Sequence, residues 1–268
     1  LTEIVASGII GLVAGVFGGL AGVGGAIVIL PSLGVLFGYP AANTHHGYMA
    51  AAMVVTCVVA IPAALRHHKH KAVRLDLLPA MLVATGLAVA AGVLVSNWLP
   101  GWHLQLGLAG ALVFFSVQMF TKALRRLPEA PPRPELTTRP RIALCGALAG
   151  LPAGLLGLGG GIINVPLFQS LLGLPLRTAI ATSSALICLT SPIGAGLKLA
   201  SLAGLGESAG HAMMLALVMS PSAIIGARLG ASLTHRLPLV WVRCVIGFIM
   251  LLASVRLTHA AGRLAGWW

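Results

Sequence analysis

The stretch of sequence that decides the fold is a glycine-rich segment that occurs twice. Residues 19–31 are GLAGVGGAIVILP, and residues 154–166 are GLLGLGGGIINVP. When the sequence is shifted against itself by 135 positions, the two segments superpose without a gap. The matches in this register, over residues 11–40 and 146–175, include six glycines, one isoleucine and two prolines. This number of matches predicts an internal duplication, which is a common way of building secondary transporters.

Composition around these segments predicts a protein that lies in a membrane. Of the 268 residues, 58% are apolar and only 8% are charged, and the mean hydropathy is +0.99. Soluble domains carry about a quarter of their residues as charged types, so this chain cannot cover a water-facing surface. We therefore expect an all-α polytopic membrane protein.

Eight apolar blocks follow from a requirement of about 20 apolar residues for each crossing of the bilayer. A charged, proline-rich stretch between the fourth and fifth blocks divides the chain. We expect a first transmembrane repeat at 1–124, a cytoplasmic Pro/Arg-rich linker at 125–140 and a second repeat at 141–268. The blocks lie at about 4–37, 41–65, 75–98, 102–121, 142–172, 176–203, 207–235 and 238–260.

The first block of each half is too long for one straight helix. A helix over residues 4–37 would be about 50 Å long at about 1.5 Å per residue, well beyond a hydrocarbon core of about 30 Å. We expect breaks at residues 22–25 and 157–161, where glycines cluster. If the two arms fold back as re-entrant hairpins, the repeats are inverted, and if the arms continue across the bilayer, the repeats are parallel.

The two glycine clusters are the first candidate binding site, because non-helical backbone at membrane depth survives only in buried or cavity-lining positions. Unwound glycines present successive N–H groups, and the helix that follows begins with its positive dipole end at the break. Such a nest attracts an anion. The predicted substrate-binding glycines are Gly24, Gly25, Gly159 and Gly160, whereas the outer Gly11, Gly15, Gly146 and Gly150 are assigned to close helix packing.

Polar residues near the breaks extend the candidate site. Asn164, Thr182 and Ser183 lie beside the second break in the sequence, and His46 and Tyr48 follow the first. A basic residue within an apolar block, Arg228, either binds substrate or extends to the interface. His45 and His46 have two alternative interpretations: they take part in proton coupling or substrate binding, or they have a structural role at the membrane interface.

Charge distribution favours an anionic substrate. All five acidic residues fall in loops or at block ends, whereas cation transporters and proton relays usually need an acid within the membrane. The formal charge of +12 is assigned to cytoplasmic loops facing anionic lipid, so no nucleic-acid partner is expected. The histidine-rich tract 66–71 is interpreted as part of a solvated loop, and the four scattered cysteines as inert. We expect no catalytic site, no metal and no cofactor.

The doubled motif at 19–31 and 154–166 resembles the TauE/SafE family of sulfite and organosulfonate exporters. Further matches to the usual layout of this family are Thr182-Ser183, the basic stretch 66–76, and Pro221 followed by residues 226–230. The resemblance covers essentially the whole chain. The sequence departs from the family pattern at residues 45–48, where members of the family more often have small and hydroxyl residues.

This resemblance implies a multi-pass protein of the bacterial cytoplasmic membrane that exports a small sulfur-containing anion, such as sulfite or sulfoacetate, and is not an enzyme. Alternating access is the expected mechanism. An anion channel and a carrier for another small anion such as thiosulfate are the alternatives. Uniport and proton coupling both stay open. The expected partners are the anionic substrate and the lipid bilayer, with a homodimer as the oligomeric state to consider.

The lysine and arginine excess predicts that residues 66–74 and 122–141 face the cytoplasm together. Single cysteines placed by His68→Cys and Thr137→Cys in a variant without native cysteines should react with an impermeant maleimide only after the cells are permeabilised. Labelling of one site in intact cells but not the other would contradict the predicted segment count.

Overall fold

The computed structural model describes residues 2–38, 43–99, 101–125, 133–159 and 161–264. These residues form ten α-helices and no strand, so within the described ranges the fold is all-α. The helices are α1 Thr2–Ala21, α2 Ala26–Phe37, α3 Thr44–Lys69, α4 Leu78–Ser96, α5 Gly101–Leu124, α6 Arg139–Leu155, α7 Gly161–Leu171, α8 Leu176–Leu202, α9 Ala209–Arg236 and α10 Leu239–Leu264.

Helix length and composition fit a polytopic membrane protein. Five stretches are long and apolar enough to cross a bilayer, and shorter apolar helices cover Val5–Ala21 and Leu112–Leu124. Large apolar side chains are exposed on the outside of the helices, as at Leu87 and Leu217. In water such a surface would be unfavourable, whereas in lipid it needs no cover. The five stretches are Thr44–Lys69, Leu78–Ser96, Leu176–Leu205, Ala209–Arg236 and Val240–Arg263.

Both predicted helix breaks are confirmed. The chain leaves helical geometry between α1 and α2 and again between α6 and α7. Four glycines at the breaks have φ between +65° and +72°, a conformation that residues with a Cβ adopt at a cost. They are Gly22, Gly24, Gly157 and Gly159.

The first break reverses the direction of the chain. A Cβ built on Gly25 would lie 3.1 Å from Cβ of Ala14, which is well back along α1. Residues of α1 and α2 also line a common apolar groove on the outside of the bundle. The two helices therefore form a hairpin rather than one continuous crossing.

The long helices α3 and α8 run in opposite directions. Near the start of α3, His46 contacts Lys198 near the end of α8, with 2.8 Å between the two nitrogens. At mid-length Ser191 Oγ of α8 donates to the carbonyl of Met53, at 3.0 Å. Since α3 and α8 occupy equivalent places in the two halves of the chain, their opposed directions are the arrangement that inverted repeats produce.

Glycines join the two halves through close helix contacts. A Cβ built on Gly15 of α1 would lie 2.9 Å from Cα of Ala223 in α9, and one built on Gly150 of α6 would lie 2.5 Å from the carbonyl oxygen of Thr85 in α4. Real Cβ atoms do not fit at such distances from backbone. The first helix of each half therefore packs on the fourth helix of the other half, which is the packing role expected of the outer glycines.

The basic connections lie at one end of the bundle. Just beyond α3, the backbone N–H of Arg74 donates to Thr182 Oγ1 near the start of α8, at 3.2 Å. The backbone N–H of Arg133 donates to the carbonyl of Gly173, shortly before α8 begins, at 3.3 Å. The first of these loops also holds an ion pair in which the Arg74 guanidinium donates to both carboxylate oxygens of Asp76, at 2.7 and 2.8 Å, and lowers the pKa of that carboxyl.

Gly150→Ala should destabilise the protein by about 1–3 kcal/mol, the usual cost of overpacking a dense interior. The matched control is Gly196→Ala, because a Cβ there meets nothing within 4 Å and alanine favours helix. Thermal unfolding in detergent should show a lower Tm for the first variant and an equal or higher Tm for the second. Equal effects of both changes would contradict the packing role.

Candidate functional site

The two glycine breaks meet at one side chain, Thr56, in the middle of α3. A Cβ built on Gly159 would lie 2.6 Å from Cγ2 of Thr56, and one built on Gly24 would overlap the same methyl group. Thr56 itself is fully buried. Two non-helical segments from different halves of the chain thus contact one residue near the centre of the bundle.

A second hydroxyl, that of Ser191 in α8, belongs to the same group. Ser191 lies 135 positions after Thr56, so it holds the equivalent place in the second half. A Cβ built on Gly159 would lie 3.1 Å from Ser191 Oγ. Both hydroxyls therefore face the region where the breaks converge.

Hydrogen bonding in this region is incomplete among the described residues. Thr56 Oγ1 and both amide atoms of Asn164 are buried, and no residue that the structure describes offers them a hydrogen bond. Buried polar atoms are almost always paired in native proteins. Because α2 and α7 also begin at the breaks with their positive dipole ends, the region combines unused polar groups with an electropositive backbone.

The predicted glycines separate into different roles. Gly24 and Gly159 come together at Thr56, whereas Gly25 packs against α1 at Ala14. Gly160 lies outside the described residues. Asn164 is buried in the first turns of α7.

The predicted hydroxyls Thr182 and Ser183 hold backbone in place. Ser183 Oγ donates to the carbonyl of Gly22 at 2.7 Å, and Thr182 Oγ1 accepts from Arg74 N. Both lie about two turns of α8 away from Ser191, or about 12 Å along the helix axis at about 1.5 Å per residue. They anchor the first break and the adjoining loop at the basic end of the bundle.

Three further predicted residues lie away from Thr56. Tyr48 donates its hydroxyl hydrogen to the carbonyl of Gly38 at 3.0 Å. Arg228 is exposed on the outside of α9, so the structure does not bring it to the breaks, and its extension to the interface is the better interpretation. His46 is buried near the start of α3, beside Lys198.

Sequence analysis missed Lys198, Thr56 and Ser191. Lys198 is fully buried, and its ammonium also contacts Ser96 Oγ at 3.0 Å and Asn97 Oδ1 at 2.7 Å. Two features of the sequence could have indicated these residues. Lys198 lies inside the apolar block 176–203, and the hydroxyl residues Thr56 and Ser191 match each other when the sequence is shifted by 135 positions.

The histidine-rich tract is partly buried rather than fully solvated, which corrects the expectation of a loop. His67 belongs to the last turns of α3 and is 0% exposed. Its Nδ1 lies 2.9 Å from Nε2 of His235, and its Nε2 lies 3.2 Å from the carbonyl oxygen of Gly19. Among the described residues, no group of three or more His, Cys, Asp or Glu side chains is placed to hold a metal ion.

Comparison with known proteins adds a family to this geometry. The model of the family described as "Sulfite exporter TauE/SafE" matches residues 7–257. The chain is similar to "Probable membrane transporter protein MamO" of Magnetospirillum gryphiswaldense, with 28% identity over 96% of this chain and 45% of that protein. It is also similar to MamO of Paramagnetospirillum magneticum, with 30% identity over 89% of this chain and 42% of that protein.

A relative of similar length is "Probable membrane transporter protein YunE" of Bacillus subtilis, with 24% identity over 94% of this chain and 96% of that protein. The chain spans less than half the length of the MamO relatives. No solved structure matches it. Because the family model covers nearly the whole chain, this multi-pass membrane protein belongs to the TauE/SafE family.

Proposed function

We propose that this chain exports a small sulfur-containing anion, sulfite or an organosulfonate such as sulfoacetate, across the bacterial cytoplasmic membrane by alternating access. The observation that carries the proposal is the convergence of two glycine breaks on Thr56. The family description and the relatives named as probable membrane transporters support it.

Anion binding at the breaks would use dipoles and hydroxyls. The N-termini of α2 and α7 supply partial positive charge at the breaks, and the hydroxyl of Thr56 can donate a hydrogen bond to an oxyanion. Ser191 Oγ faces the same region and would donate to the oxyanion by giving up its hydrogen bond to the carbonyl of Met53. The acids with described side chains, Asp76, Glu135 and Glu207, all lie outside α1–α10, in connecting segments. A cation would therefore meet no carboxylate at this depth among the side chains that the structure describes.

The arrangement of the hairpins supports alternating access. Helices α6 and α7 pack against each other, as α1 and α2 do, and form a second hairpin. The two hairpins approach Thr56 from different halves of the chain, while α3 and α8 pass beside both breaks. Movement of one hairpin would open the site to one side while the other keeps it closed. Export needs no coupled ion in this scheme, since each outward-moving negative charge gains roughly 2.3 kcal/mol per 100 mV of inside-negative potential.

Purified protein in liposomes tests the proposal with sulfite, sulfoacetate, thiosulfate, taurine and sulfate as candidate substrates. We expect saturable flux of sulfite or a sulfonate, and counterflow against a gradient of unlabelled substrate. Flux without saturation or counterflow would favour an anion channel. Absence of flux for the whole panel would contradict the proposed function.

Gly24→Ala should strongly reduce this flux, because its Cβ would overlap the Thr56 methyl group and its φ of +72° disfavours alanine. The matched control is Gly206→Ala, where φ is +74° but a Cβ meets nothing within 4 Å. The control carries the same backbone strain without contact at the breaks, so it should retain transport. If both variants lose the same share of flux, backbone strain alone explains the loss, and the contact at Thr56 is not needed for transport.

Thr56→Val combined with Ser191→Ala should weaken substrate affinity by about 1–3 kcal/mol, the usual cost when buried polar groups lose a partner. Thr190→Val is the control, since its hydroxyl is bound to the carbonyl of Leu186 in its own helix. Apparent affinity in the flux assay measures both. Unchanged affinity in the double variant, with flux lost in Asp76→Asn, would contradict an anion site at the breaks.

A further inference from the structure

A buried lysine near one end of α8 has no role in the glycine breaks. Lys198 is 0% exposed, in a helix that crosses the membrane. Its ammonium nitrogen lies 2.8 Å from His46 Nδ1, 3.0 Å from Ser96 Oγ and 2.7 Å from Asn97 Oδ1. Lys198 of α8 is therefore held by α3 and by the end of α4.

The hydrogen-bond directions fit a protonated lysine. Ser96 donates its own hydrogen to the carbonyl of Val93 at 2.7 Å, so its oxygen accepts from Lys198. Asn97 Oδ1 can only accept, and His46 Nδ1 accepts the third N–H when the imidazole is neutral. All three donors of an ammonium group are thus used.

No carboxylate balances this charge in the described part of the chain. The one ion pair there joins Arg74 and Asp76 at the basic end of the bundle. The other titratable groups facing this region are His45, whose ring centroid is 6.4 Å from that of His46, and Glu207, whose Oε2 lies 3.3 Å from a Cβ built on Gly47. Neither is within ion-pair distance of Lys198 among the contacts of the described residues.

An uncompensated buried charge is expensive, and replacing such a group with apolar residues is often stabilising. Ionisable groups inside a membrane are therefore retained chiefly for function. The three described partners of the Lys198 ammonium carry no negative charge. Fold stability alone gives no reason for a lysine here.

A cavity of about 500 Å³ lies between α2, α3 and α10, next to His45, which precedes His46 in α3. His45 lines it together with three more basic side chains, Arg256, His259 and Arg263, and its described lining contains no acid. An anion in this cavity would meet only positive or neutral groups before it reaches the neighbouring His46. The cavity lies on the α3 N-terminal side, away from the basic loops.

We propose that Lys198 is the counter-charge for the transported anion, a small oxyanion that reaches it through the cavity lined by His45, Arg256, His259 and Arg263. The inference rests on the proposed function, because it assumes that an anion is carried. It adds a binding residue that is separate from the glycine breaks.

Thermal unfolding of the full chain in detergent, with and without anion, tests this inference together with flux in liposomes. The anions are sulfite, methanesulfonate, sulfate, phosphate and chloride. Wild-type Tm should rise with at least one anion, because a ligand that binds the folded state stabilises it. Lys198→Met should abolish that rise and raise the transport KM at least tenfold, whereas Lys198→Arg should retain part of both.

Lys122→Met is the control, since this half-buried lysine on α5 lies outside the cluster and contacts Gln169 at 3.4 Å. It should keep the anion-dependent rise in Tm. If Lys198→Met does not fold, Lys198→Gln gives the same readout. A merely structural lysine would change the anion-free Tm but leave the anion-dependent rise and the KM intact, and that result would overturn the inference.

The two proposals fail in different ways. Transport of a sulfur anion with an unchanged KM in Lys198→Met overturns the inference and leaves the proposed function in place. A Tm rise with chloride or phosphate that depends on Lys198, without flux of any sulfur anion, supports the anion site and contradicts the proposed substrate. No Tm rise with any of the five anions overturns the inference.

Discussion

The structure depends on how it satisfies backbone groups that leave helical geometry inside an apolar bundle. Lipid offers no hydrogen bonds, so non-helical backbone must be buried in protein or face a polar cavity. Here both glycine breaks pack against Thr56, and the second also packs against Ser191. At the first break, Ser183 donates a hydrogen bond to the carbonyl of Gly22. The close packing of α1 on α9 and of α4 on α6 then surrounds the breaks.

The same arrangement determines the electrostatics. Helices that begin at the breaks contribute positive dipole ends, and the buried lysine of α8 contributes a full positive charge. The acids whose side chains are described lie in connecting segments, where Arg74 pairs with Asp76 in an exposed loop. A substrate entering this interior would thus find hydrogen-bond donors and positive potential, which favours a small oxyanion.

Local glycine chemistry and length arguments were enough to predict a break in the first of the apolar blocks of each half, because a helix cannot be both 34 residues long and confined to a bilayer. Sequence spacing could not predict that Gly24 and Gly159 meet at Thr56, since that contact depends on how α3 packs between the hairpins. Nor could it separate Thr182 and Ser183, which lie at the basic end of the bundle, from Ser191, which lies beside Gly159. Arg228 and Lys198 each lie within an apolar block, and only helix packing shows that the first faces outward and the second is buried.

The central claim is that the oxyanion binds where the two breaks meet. Selenite offers a sulfite analogue whose selenium can be located by anomalous diffraction from crystals of the full chain. The account predicts a selenium peak within hydrogen-bonding reach of Thr56 Oγ1 and Ser191 Oγ, beside the backbone of Gly24 and Gly159. Selenium found solely on the outside of the bundle or at the basic loops would contradict it.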